Sequence, residues 1–588
     1  MTSEPDATDP ARSIDGAPGP GAGRRRATGF VLGIVVLMAL FGPGLADHLR
    51  RASDPWTFSD DVRNNVFAFR RGEDGSLPDD LAARYARSSV SYGHRLLYLA
   101  ASRWVDAGTV SKVLPYLLYA VLLAAVGVAA AGLGTPATTF ATLALVLSSR
   151  VPLDVMTGGL MRCWGPPLTA LTALALVRGH AGLVALVACL GAATSPTAGL
   201  LAGLALALLV LAVPATDRGQ ASSWGIRRRV ATVAFTALLG LALLVPLALE
   251  MAPYGPGLGP DAVALYPELG PSGRYGADDR PPYPALVVAL CDAFGRFLQG
   301  GGAAWVPALR SRLVAGDLYG APTAPLVATV GLVAALSLAG LPGTLRHSSA
   351  ARRLLCLLGA AMAAHVLAAL LAPRLYVPQR YTFQAVPVVA ALLVPLGVRQ
   401  LARVTAGDAA ALALTLFCLV TLGGRGGDVG FTVQIGADRE IYEHLARLPA
   451  SSTIAGWPAG IMDSVPYLCR RRAFLTFETH QAYHRRYADE MRRRMRALID
   501  ATFAVDPTPL ATLRDRDGVT HLLVDLTHLG PEPPTYFAPF DAWTREAHGA
   551  MRRHPGGSEV ARLAAGRAVF RRGSIVVLDL APPGSGRR

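Results

Sequence analysis

The run Trp56-Thr57-Phe58-Ser59-Asp60-Asp61-Val62-Arg63-Asn64-Asn65 places two adjacent carboxylates directly after the first apolar segment of the chain. A carboxylate can accept the proton of an attacking hydroxyl or hold a divalent cation. Asp60 and Asp61 are therefore the expected catalytic pair, with cation binding as the other role open to both. Arg63, in the same run, is counted with the substrate-binding residues. The ordinary alternative is a loop in which Asp60 caps a helix starting at Val62.

Two further clusters could bind an anion. In Thr157-Gly158-Gly159-Leu160-Met161-Arg162-Cys163-Trp164-Gly165-Pro166, paired glycines allow a tight turn and Arg162 stands at the mouth of an apolar segment. A guanidinium there can hold a phosphate through two hydrogen bonds, or simply snorkel beside Trp164. In Pro373-Arg374-Leu375-Tyr376-Val377-Pro378-Gln379-Arg380-Tyr381, two arginines, two tyrosines and a glutamine fill one short turn. Arg374, Tyr376, Gln379, Arg380 and Tyr381 suit a phosphate or a sugar hydroxyl; a Pro-braced turn with interface aromatics is the plain reading.

Other polar groups carry less. Asp278-Asp279-Arg280 reads as a solvated charge cluster. Glu478-Thr479-His480 follows an expected strand, with His484 nearby; a strand-end Glu and His could be catalytic, but a metal site would need more ligands at suitable spacing. His365 lies inside an apolar segment, where a hydrogen bond between helices is the expected use. Patterns such as GxSxG, Walker A, GxGxxG and HExxH find no convincing strand–turn–helix setting. The six cysteines form no CxxC pair and read as small buried apolar residues.

These groups must be positioned by a membrane domain. Of 588 residues, 52% are hydrophobic and 16% charged, well below the charge content of soluble proteins. The net charge of +15 comes from arginine, because Lys112 is the only lysine. Most arginines flank apolar segments, so orientation in a bilayer explains them better than nucleic-acid binding. Apolar runs near the length of a spanning helix predict about eleven spans: 28–46, 112–133, 136–150, 164–178, 181–195, 196–214, 229–251, 321–345, 352–372, 381–398 and 407–423. Residues 1–27 are expected to be a disordered cytoplasmic tail. Residues 29–46 are expected to be an uncleaved span and not a signal peptide.

With the N-terminus inside, Arg178, Arg218 with Arg227-Arg228-Arg229, Arg346 with Arg352-Arg353, and Arg399 with Arg403 all fall on the inner side. The outer side then receives 47–111, 150–163, 252–320, everything after about 424, and the short turns at 194–197 and 373–381. Leu81 to Val105 and Leu286 to Leu298 read as amphipathic helices in the membrane interface.

Residues 436–581 read as a soluble extracytoplasmic α/β domain. Strands are expected at 453–457, 473–477 and 519–525, and a hairpin at 568–579. Helices are expected at 487–504 and 509–516. The fold class is thus an α-helical polytopic membrane protein with a C-terminal α/β domain. The location is a bacterial inner membrane, with the N-terminus cytoplasmic and the C-terminal domain outside.

This layout resembles the GT-C class of integral membrane glycosyltransferases, which includes protein mannosyltransferases and lipid A aminoarabinose transferases. The resemblance rests on one span, an outer loop bearing Asp60-Asp61 with interfacial helices, many further spans and an extracytoplasmic tail. It covers roughly residues 28–425, and the tail looks like that of poorly characterised bacterial members. It implies that Asp60 or Asp61 is the base or metal ligand, and that Arg374 or Arg380 meets the carrier phosphate. The implied partners are a polyprenyl-phosphate-linked sugar and a glycan, lipid or protein acceptor. The WWD-type motif of oligosaccharyltransferases is missing. Two readings from other classes stand beside it: a membrane scaffold whose tail binds a partner, and a transporter or flippase. The apolar Ala, Leu, Val and Gly of the spans speak against the last.

Overall fold

The computed structural model describes residues 20–274, 285–298, 324–371, 377–401, 407–413, 429–481 and 483–581. Arg374, Tyr376 and Asp278-Asp279-Arg280 lie outside the described residues, as does the tail before residue 20.

The membrane part is built from α1 (Pro20–Ser53), α2 (Leu81–Ser89), α3 (Tyr92–Ala101), α4 (Ala107–Ala131), α5 (Pro136–Ser148), α6 (Val151–Met156), α7 (Gly165–Arg178), α8 (Ala181–Thr194), α9 (Pro196–Ala207) and α10 (Ile226–Met251). It continues with α11 (Leu286–Leu298), α12 (Ala324–His347), α13 (Ser349–Leu370) and α14 (Gln379–Leu401). Among the described residues, five helices are long and apolar enough to cross a bilayer, over Gly33–Ser53, Ala107–Ala131, Ile226–Tyr254, Ser349–Leu370 and Gln379–Leu401. Among the described residues, helices also stand over the expected positions between 136 and 214 and at 324–345, several of them short, while the expected span at 407–423 lies largely outside the described residues. At about 1.5 Å per residue, the 14 residues of α8 reach only about two thirds of a 30 Å hydrocarbon core.

Alternating loops gather at two ends of the bundle. At one end, Arg353 donates to the carbonyls of Leu176 and Val177, which close α7, and to Asp217 O. Beside it Arg352 holds Asp217 through two hydrogen bonds of 2.6 and 2.7 Å. At that end too, Arg399 pairs with Asp408 at 3.0 Å, and Thr135 donates to Asp408 at 2.9 Å. These are the loops that the arginine pattern groups as inner. At the other end, Ser91 Oγ donates to Thr194 O, Trp164 Nε1 to His94 Nδ1, and Arg95 pairs with Glu250. The contacts made by Arg353 and Arg399 thus lie apart from those of Ser91, His94 and Arg95.

The amphipathic stretch 81–105 is not one helix. It breaks at Val90, whose extended backbone lets Ser91 bond to the end of α8. Tyr92, Leu96, Trp104 and Val105 are exposed, which suits an element lying at a lipid surface. The other interfacial helix forms over Leu286–Leu298 as expected, with Val287 and Val288 exposed.

The C-terminal part contains α15 (Arg439–Arg447), α16 (Ile461–Cys469), α17 (Arg485–Thr502), α18 (Thr508–Asp515), α19 (Phe540–Arg553) and α20 (Glu559–Gly566). A strand pair links it to the first loop: β1 (Thr57–Phe58) runs antiparallel to β2 (Val433–Gln434). The main sheet uses β3 (Thr453–Gly456), β4 (Arg472–Ala473), β5 (His521–Asp525), β6 (Ala568–Arg572) and β7 (Ile575–Asp579), in the order β4-β3-β5-β7-β6. β3 runs parallel to both β4 and β5, while β7 is antiparallel to β5 and β6. The strand expected at 473–477 shrinks to Arg472–Ala473. The chain then turns, and Thr476 and Thr479 bond to each other and to the backbone.

One apolar cluster centred on this part joins Trp457, Phe474, Met491, Met495, Val524, Phe540 and Leu578, and takes in Tyr85 from α2. A second runs from the spans through Phe58 and Val62 into Ile454, Met462, Tyr467 and Val577. Packing is therefore continuous across the boundary expected near residue 436.

Candidate functional site

Asp60 and Asp61 open a short 3-10 turn, Asp60–Arg63, directly after β1. Buried Val62 anchors the turn in the core, leaving both carboxylates half-exposed. Asp60 is not a helix cap. Its Oδ1 accepts the Asp61 N–H at 2.9 Å, and its own N–H donates to Thr432 Oγ1 at 2.9 Å. The segment beside β2 thereby fixes the backbone on which the carboxylates stand.

Asp61 Oδ2 forms an ion pair with Arg162 Nη1. The paired glycines make this possible. Gly158 and Gly159 have φ of +92° and +60°, in the left-handed region that glycine enters freely. A Cβ on Gly159 would stand 2.7 Å from Ser111 O, and one on Gly158 3.0 Å from the Ser59 Cβ. The loop before α7 can thus lie against both α4 and the carboxylate turn. Arg162 Nε also donates to Val155 O at 3.3 Å.

Asp154, in α6 just before that loop, is a third acid that the sequence reading missed. It remains open to solvent, yet the protein mass around it pushes its carboxyl above the usual carboxylate range. Arg162 and Arg150 oppose that shift, while Asp60 and Asp61 add to it. The available signal was an acid between two apolar segments, in a loop expected on the same face as Asp60-Asp61. Among the described residues, no three His, Cys, Asp or Glu side chains are arranged to hold one metal ion. Asp61 faces a guanidinium instead of a further acid.

Arg63 faces the C-terminal part. Its Nη1 pairs with Asp463 Oδ2 at 3.0 Å and its Nη2 with Glu478 Oε1 at 3.8 Å. Arg274, from the second large loop, pairs with Glu478 Oε2 at 3.3 Å. Asp463 lies in the first turn of α16, after β3, and Glu478 follows β4. Both acids therefore stand beyond the carboxyl ends of parallel strands. Burial pushes the Glu478 carboxyl up to about 7; Arg274 and Arg63 pull it down, and Asp463 and Asp61 raise it further. Burial also raises Asp463, against Arg63. His480 is buried against the Tyr536 hydroxyl at 3.2 Å, and burial pushes it down to about 3, so it stays neutral. His484 bonds to the Tyr85 hydroxyl at 3.0 Å.

Gln379, Arg380 and Tyr381 form the first turn of α14, with Tyr381 buried. One turn on, Gln384 donates to Thr197 Oγ1 at 3.0 Å, at the start of α9. A Cβ on Gly165 would come 3.0 Å from Gln384 Nε2, so the Gln384 side chain lies directly over this glycine. Gly165 begins α7 just after Arg162. The described part of the third cluster, Gln379 to Tyr381, therefore belongs to the end of the bundle that carries Asp61 and Arg162.

On the membrane side of the carboxylate turn, His48, Ser59, Lys112, Tyr116, Thr157 and Gly158 line a small cavity. His48 is buried and bonds to the Tyr116 hydroxyl and to Val429 O, which ties α1 and α4 to the segment leading into β2.

No family model matches the sequence, and the search of curated proteins finds no match. Among solved structures, the chain is similar to the Archaeoglobus fulgidus oligosaccharyltransferase tethered with an acceptor peptide containing the NVT sequon. The identity is 12% over 86% of this chain and 69% of that one, with a TM-score of 0.45. It is similar to ArnT from Cupriavidus metallidurans in the apo state, with 13% identity over 95% of this chain and 98% of that one, and a TM-score of 0.41. The same protein bound to undecaprenyl phosphate gives 12% identity, 95% and 99% coverage, and a TM-score of 0.40.

Proposed function

We propose that this chain is a membrane glycosyltransferase that moves a sugar from a polyprenyl-phosphate-linked donor to an acceptor hydroxyl on the outer face. The observation that supports it most is the Asp61–Arg162 pair, half-exposed where the loops of one end of the bundle converge, with Asp60 and Asp154 beside it. In this reading Asp60 or Asp61 takes the proton of the acceptor hydroxyl. The freed oxygen lone pair attacks the anomeric carbon, and the bond from that carbon to the phosphate oxygen breaks. The polyprenyl phosphate leaves with the negative charge, which guanidinium groups of this end stabilise electrostatically. Arg162 and Arg380 are the groups we assign to it. In this reading the end that carries the arginine clusters faces the cytoplasm, as the positive-inside bias favours. The carboxylates and the C-terminal domain then lie outside, on the periplasmic side of a bacterial inner membrane.

The test is sugar release from a polyprenyl phosphate carrier by purified, reconstituted protein. The Asp60→Asn/Asp61→Asn double variant keeps side-chain shape and removes the base. Its turnover should fall by about 10²-fold or more, the scale of general-base catalysis. Full activity in that variant defeats the mechanism.

A further inference from the structure

The groups that hold the carboxylate turn come from both parts of the chain. Arg63 is the last residue of the turn that Asp60 and Asp61 begin. Its Nε donates back to Asp60 O at 3.1 Å, so the guanidinium is fastened to the turn itself. Its other two nitrogens face Asp463 and Glu478. These side chains are largely withdrawn from solvent: Arg63 is 15% exposed, Asp463 5% and Glu478 11%. A buried charge left without its partner is strongly unfavourable, so the turn and the two acids must move together. The opposing acids are themselves fixed. Asp463 Oδ1 accepts the Glu478 N–H at 2.8 Å, and Arg274 holds the far oxygen of Glu478.

We infer that Arg63 is a positioning residue through which the C-terminal domain holds the Asp60–Asp61 turn in register with Arg162. The inference rests on the transfer reading of that site, and it gives the domain a part in catalysis apart from any binding of acceptor. The domain grips the turn at one side through Arg63, and the loop before α7 grips it at the other through Arg162. Loosening either grip lets the carboxylates drift from the reacting atoms, and small displacements of a catalytic group are costly in rate. The groups facing the Arg63 contact are Asp463 and Glu478 from the domain, Arg274 from the second large loop, and Asp61 from the turn itself.

The experiment uses the full-length reconstituted protein and two substitutions. Asp463→Asn keeps the oxygen that accepts the Glu478 N–H but presents an amide to Arg63. Arg63→Met removes the guanidinium and keeps most of the side-chain volume. Backbone amide hydrogen exchange is followed across residues 59–64, and transfer is assayed with a polyprenyl phosphate sugar. Both substitutions should speed exchange in the turn. Turnover should fall by about 10²-fold while KM for the donor stays nearly constant, because positioning is lost and donor binding is not. Arg63→Lys should recover part of the rate, since an ammonium can still reach one of the acids. Unchanged exchange in both variants overturns the inference. So does faster exchange with wild-type turnover. If the wild-type protein transfers no sugar, the transfer reading fails, and the exchange measurement alone decides whether the domain holds the turn.

Discussion

Arg162 meets Asp61 across a gap in sequence that contains α2 to α6, and the two side chains are each about 30% exposed. An ion pair so open to water contributes little to stability, commonly below about 1 kcal/mol. Its value lies in orientation. Arg162→Gln should therefore leave thermal unfolding nearly unchanged while lowering sugar transfer by about tenfold or more. A large loss of stability with normal activity in the surviving protein would mean that the pair is structural.

The loop that delivers Arg162 depends on Gly159. With φ at +60° and a Cβ facing Ser111 O at 2.7 Å and the Tyr98 hydroxyl at 2.9 Å, alanine is excluded by both backbone and space. Gly159→Ala should lower stability by about 1–3 kcal/mol, the cost of a strained backbone. Gly182→Ala is the control, because nothing lies within 4 Å of its added methyl. Thermal unfolding in detergent reads both. Equal effects of the two substitutions would contradict the packing described for this loop.

Glu478 makes stability depend on pH with a defined sign. Its carboxyl releases its proton near 4.5 in an unfolded chain but only at about 7 in the folded protein. Between those values the unfolded state binds fewer protons, so stability falls as pH rises and levels off above about pH 7. Glu478→Gln removes this dependence. The variant should gain on the wild type in unfolding temperature from pH 5 to pH 7.5, whatever its constant offset. A gap that stays flat or narrows over that range would show that Glu478 ionises normally.

The orientation can be read with reporter fusions. A fusion after Arg229 should report cytoplasm, and one after Arg439 should report periplasm. The structure puts the chain segments around these two points at opposite ends of the bundle, with Arg353 contacting the neighbouring Asp217 at one end and Arg439 stacking over Trp56 at the other. The same compartment for both fusions would overturn the arrangement.

The sequence by itself determined the helices, the grouping of the loops and the acidic pair. Apolar length and flanking arginines act locally, through the cost of moving each segment into hydrocarbon, so neighbours far along the chain need not be known. The same holds for the buried strand His521–Asp525, whose run of apolar residues fits a central position in the sheet. Local signals failed where a distant contact outweighed them. The helical stretch at 81–105 divides at Val90, where Ser91 bonds to Thr194 O, a break the spacing does not mark, and the strand after Ala473 ends early in the turn made by Thr476 and Thr479. Only the tertiary structure decided that Asp61 meets Arg162, that Asp154 joins them, and that Arg63 turns to Asp463 and Glu478. Ion-pair partners are chosen by where whole elements pack, and a charge in the sequence states its sign but not the direction from which its partner comes.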